Sequence, residues 1–281
     1  MTTLGKLGAT CSLYIGAGLL MALWTLPSAG QEIHADHCLH GCPAGSPTTN
    51  DIVVRNIYVL SSNDVTKFAD WVAYRVTSST IGKSQERFMR ADSVLAKSET
   101  LEYADYYKAH ATLGTDRGHQ APLASFSGTP FWEETNLLSN ITPQRSTLNQ
   151  GAWRLLETAV RRLAKASETR GVYVITGPLY ERPMPYLPHA DEVHLMPSGY
   201  WKIIATKDGD NTRTAAFIFE QETERSADYC EERFQTDIRT IERKTRLNFF
   251  HALNVQKQDS LESGLNTLLA DLGCTTGGGE K

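Results

Sequence analysis

Between residues 116 and 157 the chain gathers side chains that are odd company for a protein interior. Asp116-Arg117-Gly118-His119 comes first, then Asn136 and Asn140 on either side of Leu-Leu-Ser, then Asn149, with Glu157 and Arg161 beyond. One titratable imidazole, several fixed cations and a set of hard oxygen donors are the parts that phosphoryl chemistry uses. The imidazole can deprotonate water, the guanidinium groups can take up charge on phosphate oxygens, and the amide and carboxylate oxygens can hold a divalent ion. A lone histidine beside Gly and Arg is ordinarily a turn residue, and it is the constellation that argues for chemistry.

The spacing can be tested against helical geometry. Ala152, Leu156, Ala159, Val160 and Leu163 recur at helical period and predict a helix over 148–167 with that stripe buried. Asn149, Trp153, Glu157 and Arg161 follow four apart, each step drifting about 40° around the axis, so they spiral beside the stripe. Along an unbroken helix Asn149 and Glu157 are separated by about 12 Å of rise, too far to ligate one ion directly. Helical side chains lean toward the N-terminus, which lets Glu157 hold a water on an ion that Asn149 ligates. One protein ligand with several waters suits Mg²⁺, which dehydrates reluctantly.

Other elements must position this set. Segments 52–62, 71–77, 172–181, 200–206 and 214–221 are rich in branched and aromatic residues and read as strands. A second helix is predicted over 237–246 and a short one around 102–110. Strands and helices do not alternate regularly, so the fold class is α+β, an antiparallel-rich central sheet flanked by helices. With 281 residues, 41% hydrophobic and 21% charged, the chain can bury a substantial core. No repeat or linker divides it, so 31–281 is expected to be a single domain, with flexible ends at about 31–50 and 275–281.

Residues 1–30 read as a signal peptide: Lys6, an apolar run over 13–26, then Ser28, Ala29 and Gly30 for cleavage. The expectation is a secreted protein with no stable membrane association after cleavage. Four cysteines then remain, Cys38, Cys42, Cys230 and Cys274, which permit three pairings in an oxidising compartment. Cys38 with Cys42 is the local choice; Cys230 with Cys274 would tie the C-terminal tail to the body. Loss of residues 1–30 removes only Lys6 among the charges, leaving 27 basic against 32 acidic residues, a net of −5. A surface for polyanions must therefore be local. His34, His37 and His40 beside Cys38 and Cys42 suggest zinc only if the cysteines stay reduced, and His189-Ala-Asp-Glu-Val-His194 misses the HExxH spacing. Asn140-Ile-Thr142 is formally a glycosylation sequon, here inside the candidate catalytic loop.

Taken together, DRGHQAPLAS, NLLSNITPQ, LNQGAW and GPLYER (177–182) resemble the DNA/RNA non-specific endonucleases of the ββα-metal superfamily, in their secreted Serratia-type branch. The likeness runs from about Cys38 to Cys274. It implies a ββα-metal catalytic core with His119 as general base, Asn149 as direct Mg²⁺ ligand and Glu157 acting on the ion through water. It implies further that Asn136 and Asn140 organise the site, Asn140 among the catalytic residues and Asn136 toward substrate, and that Arg117 and Arg161 face substrate. A catalytic arginine thirty residues before Arg117 falls on Arg87, with Arg90 as its rival. The resemblance implies the disulfides Cys38–Cys42 and Cys230–Cys274, DNA and RNA as substrates, Mn²⁺ as a possible stand-in for Mg²⁺, and a possible homodimer. The competing class is a non-catalytic nucleic-acid-binding relative, which would be expected to have lost His119 or Asn149.

Overall fold

Most of the branched and aromatic runs become strands in the structure, a computed structural model that describes residues 35–166, 171–264 and 267–274. The expected signal segment and the tail 275–281 lie outside the described residues. The run 52–62 is a hairpin and not one strand: β1 (Asp51–Val54) pairs with β2 (Val59–Ser62). The Arg55 N–H donates to the Tyr58 carbonyl at 2.8 Å, and the polar Arg55-Asn56 pair makes the turn. There follow β3 (Ala69–Val76), α1 (Ala109–Leu113), β4 (Thr115–His119), α2 (Leu123–Phe126), β5 (Ile141–Arg145), α3 (Ser146–Leu148) and α4 (Arg154–Lys165). The second half supplies β6 (Val172–Leu179), β7 (Gly199–Asp208), β8 (Asn211–Glu220), β9 (Gln235–Thr236), α5 (Ile238–Thr245), α6 (Val255–Ser263) and α7 (Leu269–Leu272).

Seven strands form one antiparallel sheet in the order β1-β2-β3-β6-β7-β8-β9, while β4 and β5 pair only with each other. Alternation along the central strand β7 sends Tyr200 and Ile204 to one face and Trp201, Ile203 and Ala205 to the other. Both faces are covered. Leu156, Ala159, Val160 and Leu163 of α4 pack on the first, and Ile238 and Ile241 of α5 with Phe249 and Phe250 pack on the second. The fold is therefore α+β with an antiparallel sheet between helices, as the sequence suggested.

Segment 35–50 is irregular but fastened. Leu39 and Cys42 are buried, Cys38 is bonded to Cys42, and Ala44 exchanges backbone hydrogen bonds with Asn248. The second disulfide joins Cys230 to Cys274. The short helix expected at 102–110 is a tight turn over Tyr103–Tyr106 followed by α1.

The helix expected at 148–167 is interrupted. Asn149–Trp153 forms a widened, kinked turn in which Gly151 leaves the helical region, with φ −101° and ψ −121°. A Cβ on Gly151 would lie 2.7 Å from the Arg225 carbonyl oxygen and 3.0 Å from its Cα. These are backbone atoms that cannot swing aside, so only glycine lets the turn pack here. The substitution Gly151→Ala should destabilise the fold by about 1–3 kcal/mol, the usual range for overpacking, as read by denaturant unfolding.

Candidate active site

The ribbon β4–β5 carries the DRGH segment, with His119 opposite Ile141 and Asp116 opposite Gln144. Tyr200 of β7 and Gln221, just past the end of β8, buttress it. The Tyr200 hydroxyl donates to the Pro143 carbonyl at 2.8 Å, and Gln221 both donates to that carbonyl at 2.9 Å and accepts from the Arg145 N–H at 2.7 Å. Pro143 has no N–H of its own to place, which suits a two-stranded ribbon. Beyond β5 the chain runs through α3 and the kinked turn into α4, which completes a ββα unit.

Asp116 binds the unit together. Its carboxylate accepts from Asn149 Nδ2 at 2.9 Å, Gln150 Nε2 at 2.8 Å and Ser146 Oγ at 2.7 Å. Burial would raise its carboxyl group, yet these three hydrogen bonds outweigh that and hold it below the usual carboxylate range. The consequence for Asn149 is orientation. Its amide nitrogen is committed to Asp116, and among the described residues no hydrogen bond falls on its Oδ1.

His119 is half-buried, and its Nε2 lies 3.2 Å from Asn136 Oδ1. Desolvation pushes the imidazole down to about 4; the Asn136 contact opposes this and the nearby Arg87 charge adds to it. Asn136 Nδ2 points to the Glu86 carbonyl at 3.4 Å. Asn140 is fully buried, accepting from the Ala121 N–H and donating to the Ala121 and Thr135 carbonyls. Neither asparagine lines the cleft, and both amide hydrogens of Asn140 are already committed within the protein. Asn136 reaches the site only through His119.

Glu157 of α4 is largely buried, its side chain 12% exposed, with its carboxylate 3.9 Å from the Lys202 ammonium. Burial raises the Glu157 carboxyl group while Lys202 and Arg161 oppose the rise. Lys202 is completely buried in β7, its Nζ 3.9 Å from the Trp153 ring centroid and without a hydrogen-bond partner among the described residues. Desolvation lowers it to about 8, against the pull of Glu157.

Arg87, Arg117, His119, Asn149, Glu157 and Arg161 all line one cleft of about 1580 Å³, together with Asp116. Arg161 Nη2 donates to Thr158 at 2.8 Å while its Nη1 is buried without a hydrogen-bond partner among the described residues. Arg90 is not on the cleft and pairs with Glu133 at 2.8 Å, so of the two candidate arginines it is Arg87 that joins His119. Among the described residues two clusters of three carboxylates, Asp51–Asp64–Glu99 and Asp105–Asp191–Glu192, come close enough together for a cation; neither includes Asn149 or Glu157. Two contributors to the site have no signature in residue spacing. Asp116 stood in the DRGH motif without a role, and Lys202 was legible as a lysine centred in the otherwise apolar YWKIIA.

A family model described as DNA/RNA non-specific endonuclease matches residues 37–256. The chain belongs to this endonuclease family. A nuclease of Serratia marcescens is 44% identical over 240 residues, covering 85% of this chain and 89% of its own. A nuclease of a Nostoc strain is 28% identical over 244 residues, covering 81% and 85%. Among solved structures, the EndoG/EndoGI complex, described as showing the mechanism of EndoG inhibition, matches with a TM-score of 0.63 at 25% identity. That match spans 74% of this chain and 88% of the other. As a member of the endonuclease family the chain is a nuclease, and its ribbon-plus-helix unit is the ββα-metal arrangement.

The lowered imidazole has a consequence for stability. Between its ordinary value of 6.5 and the folded value of about 4, the unfolded chain binds a proton that the folded chain does not. Stability must therefore fall as pH drops through that window. His119→Gln keeps a donor for Asn136 but cannot titrate. Compared with wild type by denaturant unfolding at pH 7 and pH 4.5, it should lose less stability on acidification; an equal loss in both proteins would contradict the assignment.

Proposed function

We propose that this nuclease is a secreted endonuclease hydrolysing phosphodiester bonds of both DNA and RNA to 5′-phosphate ends, with His119 as general base and one hydrated Mg²⁺. The observation that carries the reading is the convergence of the His119 ring and the Asn149 amide on one cleft, with Glu157 and three arginines beside them. A non-catalytic relative would have little reason to keep both groups on the same cavity.

The residues suit a hydrated divalent ion. Asp116 takes the Asn149 amide nitrogen and leaves Oδ1, a hard oxygen donor, and Glu157 adds a carboxylate able to act through water. Mn²⁺ accepts the same oxygen donors and should substitute. When bound there, the ion supplies Lewis-acid stabilisation of charge on the leaving and non-bridging oxygens.

The protein's own groups do the rest. With Nε2–H donated to Asn136 Oδ1, the neutral ring carries its lone pair on Nδ1, the atom that takes a proton from water. That water attacks phosphorus as the bond to the 3′ oxygen breaks; the leaving 3′ oxygen takes a proton from solvent to become the 3′-hydroxyl, and His119 later returns its own proton to solvent. Arg87 lies close enough for its charge to act on both His119 and Glu157, and it neutralises charge growing on the phosphoryl oxygens. Arg117 and Arg161 bind flanking phosphates. Nothing in this scheme reads a base edge or a 2′-hydroxyl, so DNA and RNA are both substrates. Secretion is supported by the leader-like first thirty residues and by the two disulfides.

The test is digestion of plasmid DNA and of RNA with Mg²⁺, with Mn²⁺ and with chelator. Chelation should abolish cleavage. His119→Ala should lower kcat by about 10²–10⁴ with the fold intact by circular dichroism. Because the free base is already neutral well below pH 6.5, the acid limb of kcat/KM should lie below pH 6. Cleavage that persists in chelator, or in His119→Ala at the wild-type rate, defeats the proposal.

A further inference from the structure

Among the described residues five aromatic side chains stay largely exposed, Phe88, Tyr103, Tyr107, Phe131 and Tyr186, and the first three all line the cleft. Exposed rings gathered on the wall of a cationic cavity call for an occupant, since apolar rings left in water gain nothing for the fold. We propose that Tyr103, Tyr107 and His189 form a shelf on which unpaired bases of the substrate strand stack, making single-stranded segments a preferred substrate of this cleft. The proposal rests on the nuclease reading and adds the strand form that the cleft selects.

The shelf is built, not incidental. Tyr106 points inward, 5% exposed, into a small core with Leu101, Leu187 and Met196, while Tyr103 and Tyr107 turn outward at 55% and 59% exposure. The Arg117 guanidinium lies 4.7 Å from the Tyr103 ring centroid and holds that ring beside the candidate phosphate path. Lys108 adopts a left-handed backbone with φ +56°, a conformation lysine seldom takes, and its ammonium sits 5.3 Å from the Tyr107 centroid. The His189 ring meets the Tyr107 ring edge-on, with centroids 5.0 Å apart and planes at 61°. His189 is held there by the other histidine of its motif. Buried His194 accepts from the Leu187 N–H at 3.0 Å through Nε2 and lies 3.0 Å from the Glu192 carbonyl through Nδ1. The His-Ala-Asp-Glu-Val-His segment is thus a loop anchor with a ring at its tip.

Rings that alternate with cations suit one ligand class. The cations track phosphates and the ring faces take bases, whatever their identity. In a duplex the base faces are already stacked on one another, so only an unpaired strand can use the shelf. The preference is therefore for strand form, with no reading of sequence.

The experiment uses fluorescence anisotropy in chelator, where the strand stays intact, with a labelled dT 12-mer, an abasic 12-mer carrying the same phosphates, and a 12-base-pair duplex. The wild type should bind the dT strand roughly tenfold more tightly than the abasic strand. The double variant Tyr103→Ala/Tyr107→Ala should bind the two alike, and Tyr103→Phe/Tyr107→Phe, which keeps both rings, should retain the preference. Circular dichroism checks that each variant is folded. Equal wild-type binding of dT and abasic strands, a preference that survives the alanine changes, or an equal loss of affinity for duplex would each overturn the shelf. Plasmid and RNA digestion by the same wild-type preparation separates the two ideas. A protein that discriminates bases but does not cut refutes the nuclease mechanism alone, and one that cuts without discriminating refutes the shelf alone.

Discussion

The Asp116 carboxylate accepts from Asn149, Gln150 and Ser146, and through those bonds it fastens the ribbon β4–β5 to the turn that precedes α4. A carboxylate can only accept, so the amide of Asn149 has a single stable orientation, nitrogen toward Asp116 and oxygen away from it. Without that lock an asparagine side chain would rotate, and its two ends would present opposite dipoles to a cation. The kinked turn at Gly151 serves the same end, because a straight helix would carry Asn149 along a different path from the ribbon. The close approach to Arg225 then decides which residue may occupy the kink.

A second constraint comes from the sheet beneath. Lys202 places an ammonium group where no water reaches it, with Glu157 and the Trp153 ring as its neighbours at 3.9 Å. Each charge alone would be costly at that depth, and each makes the other tolerable. Loss of either would leave its partner buried without compensation. The central strand therefore contributes an electrostatic partner to the site as well as packing for α4.

What could be read from residues alone follows from how strongly each element is patterned. Strands β3, β6, β7 and β8 are buried on at least one face along nearly their whole length, so branched and aromatic residues reveal them. The ribbon was not visible as strands, because Thr-Asp-Arg-Gly-His and Ile-Thr-Pro-Gln-Arg carry chemistry in place of β-forming side chains. The break at Gly151 was hidden for the opposite reason: apolar spacing on both sides is compatible with one helix, and only a tertiary neighbour forces the kink. His119, Asn149 and Glu157, which residue type and motif blocks mark as candidates, line one cleft. Asp116 and Lys202 act through other side chains, so their contribution depends on contacts that span 33 and 45 positions of chain and have no local signature. Asn136 and Asn140 are both buried, so what they touch is other protein groups, which their residue types alone do not reveal.

The buttressing of the ribbon by Tyr200 and Gln221 reaches further than local geometry. A two-stranded ribbon of five residues a side is marginal in water on its own. Here its stiffness is borrowed from β7 and β8 through hydrogen bonds to Pro143 and Arg145. The machinery consequently has no independent melting point: loosening the body relaxes the scissors at the same moment, and a half-denatured molecule is a blunt one. For a nuclease, such all-or-none loss of bite ties activity to the integrity of the whole scaffold.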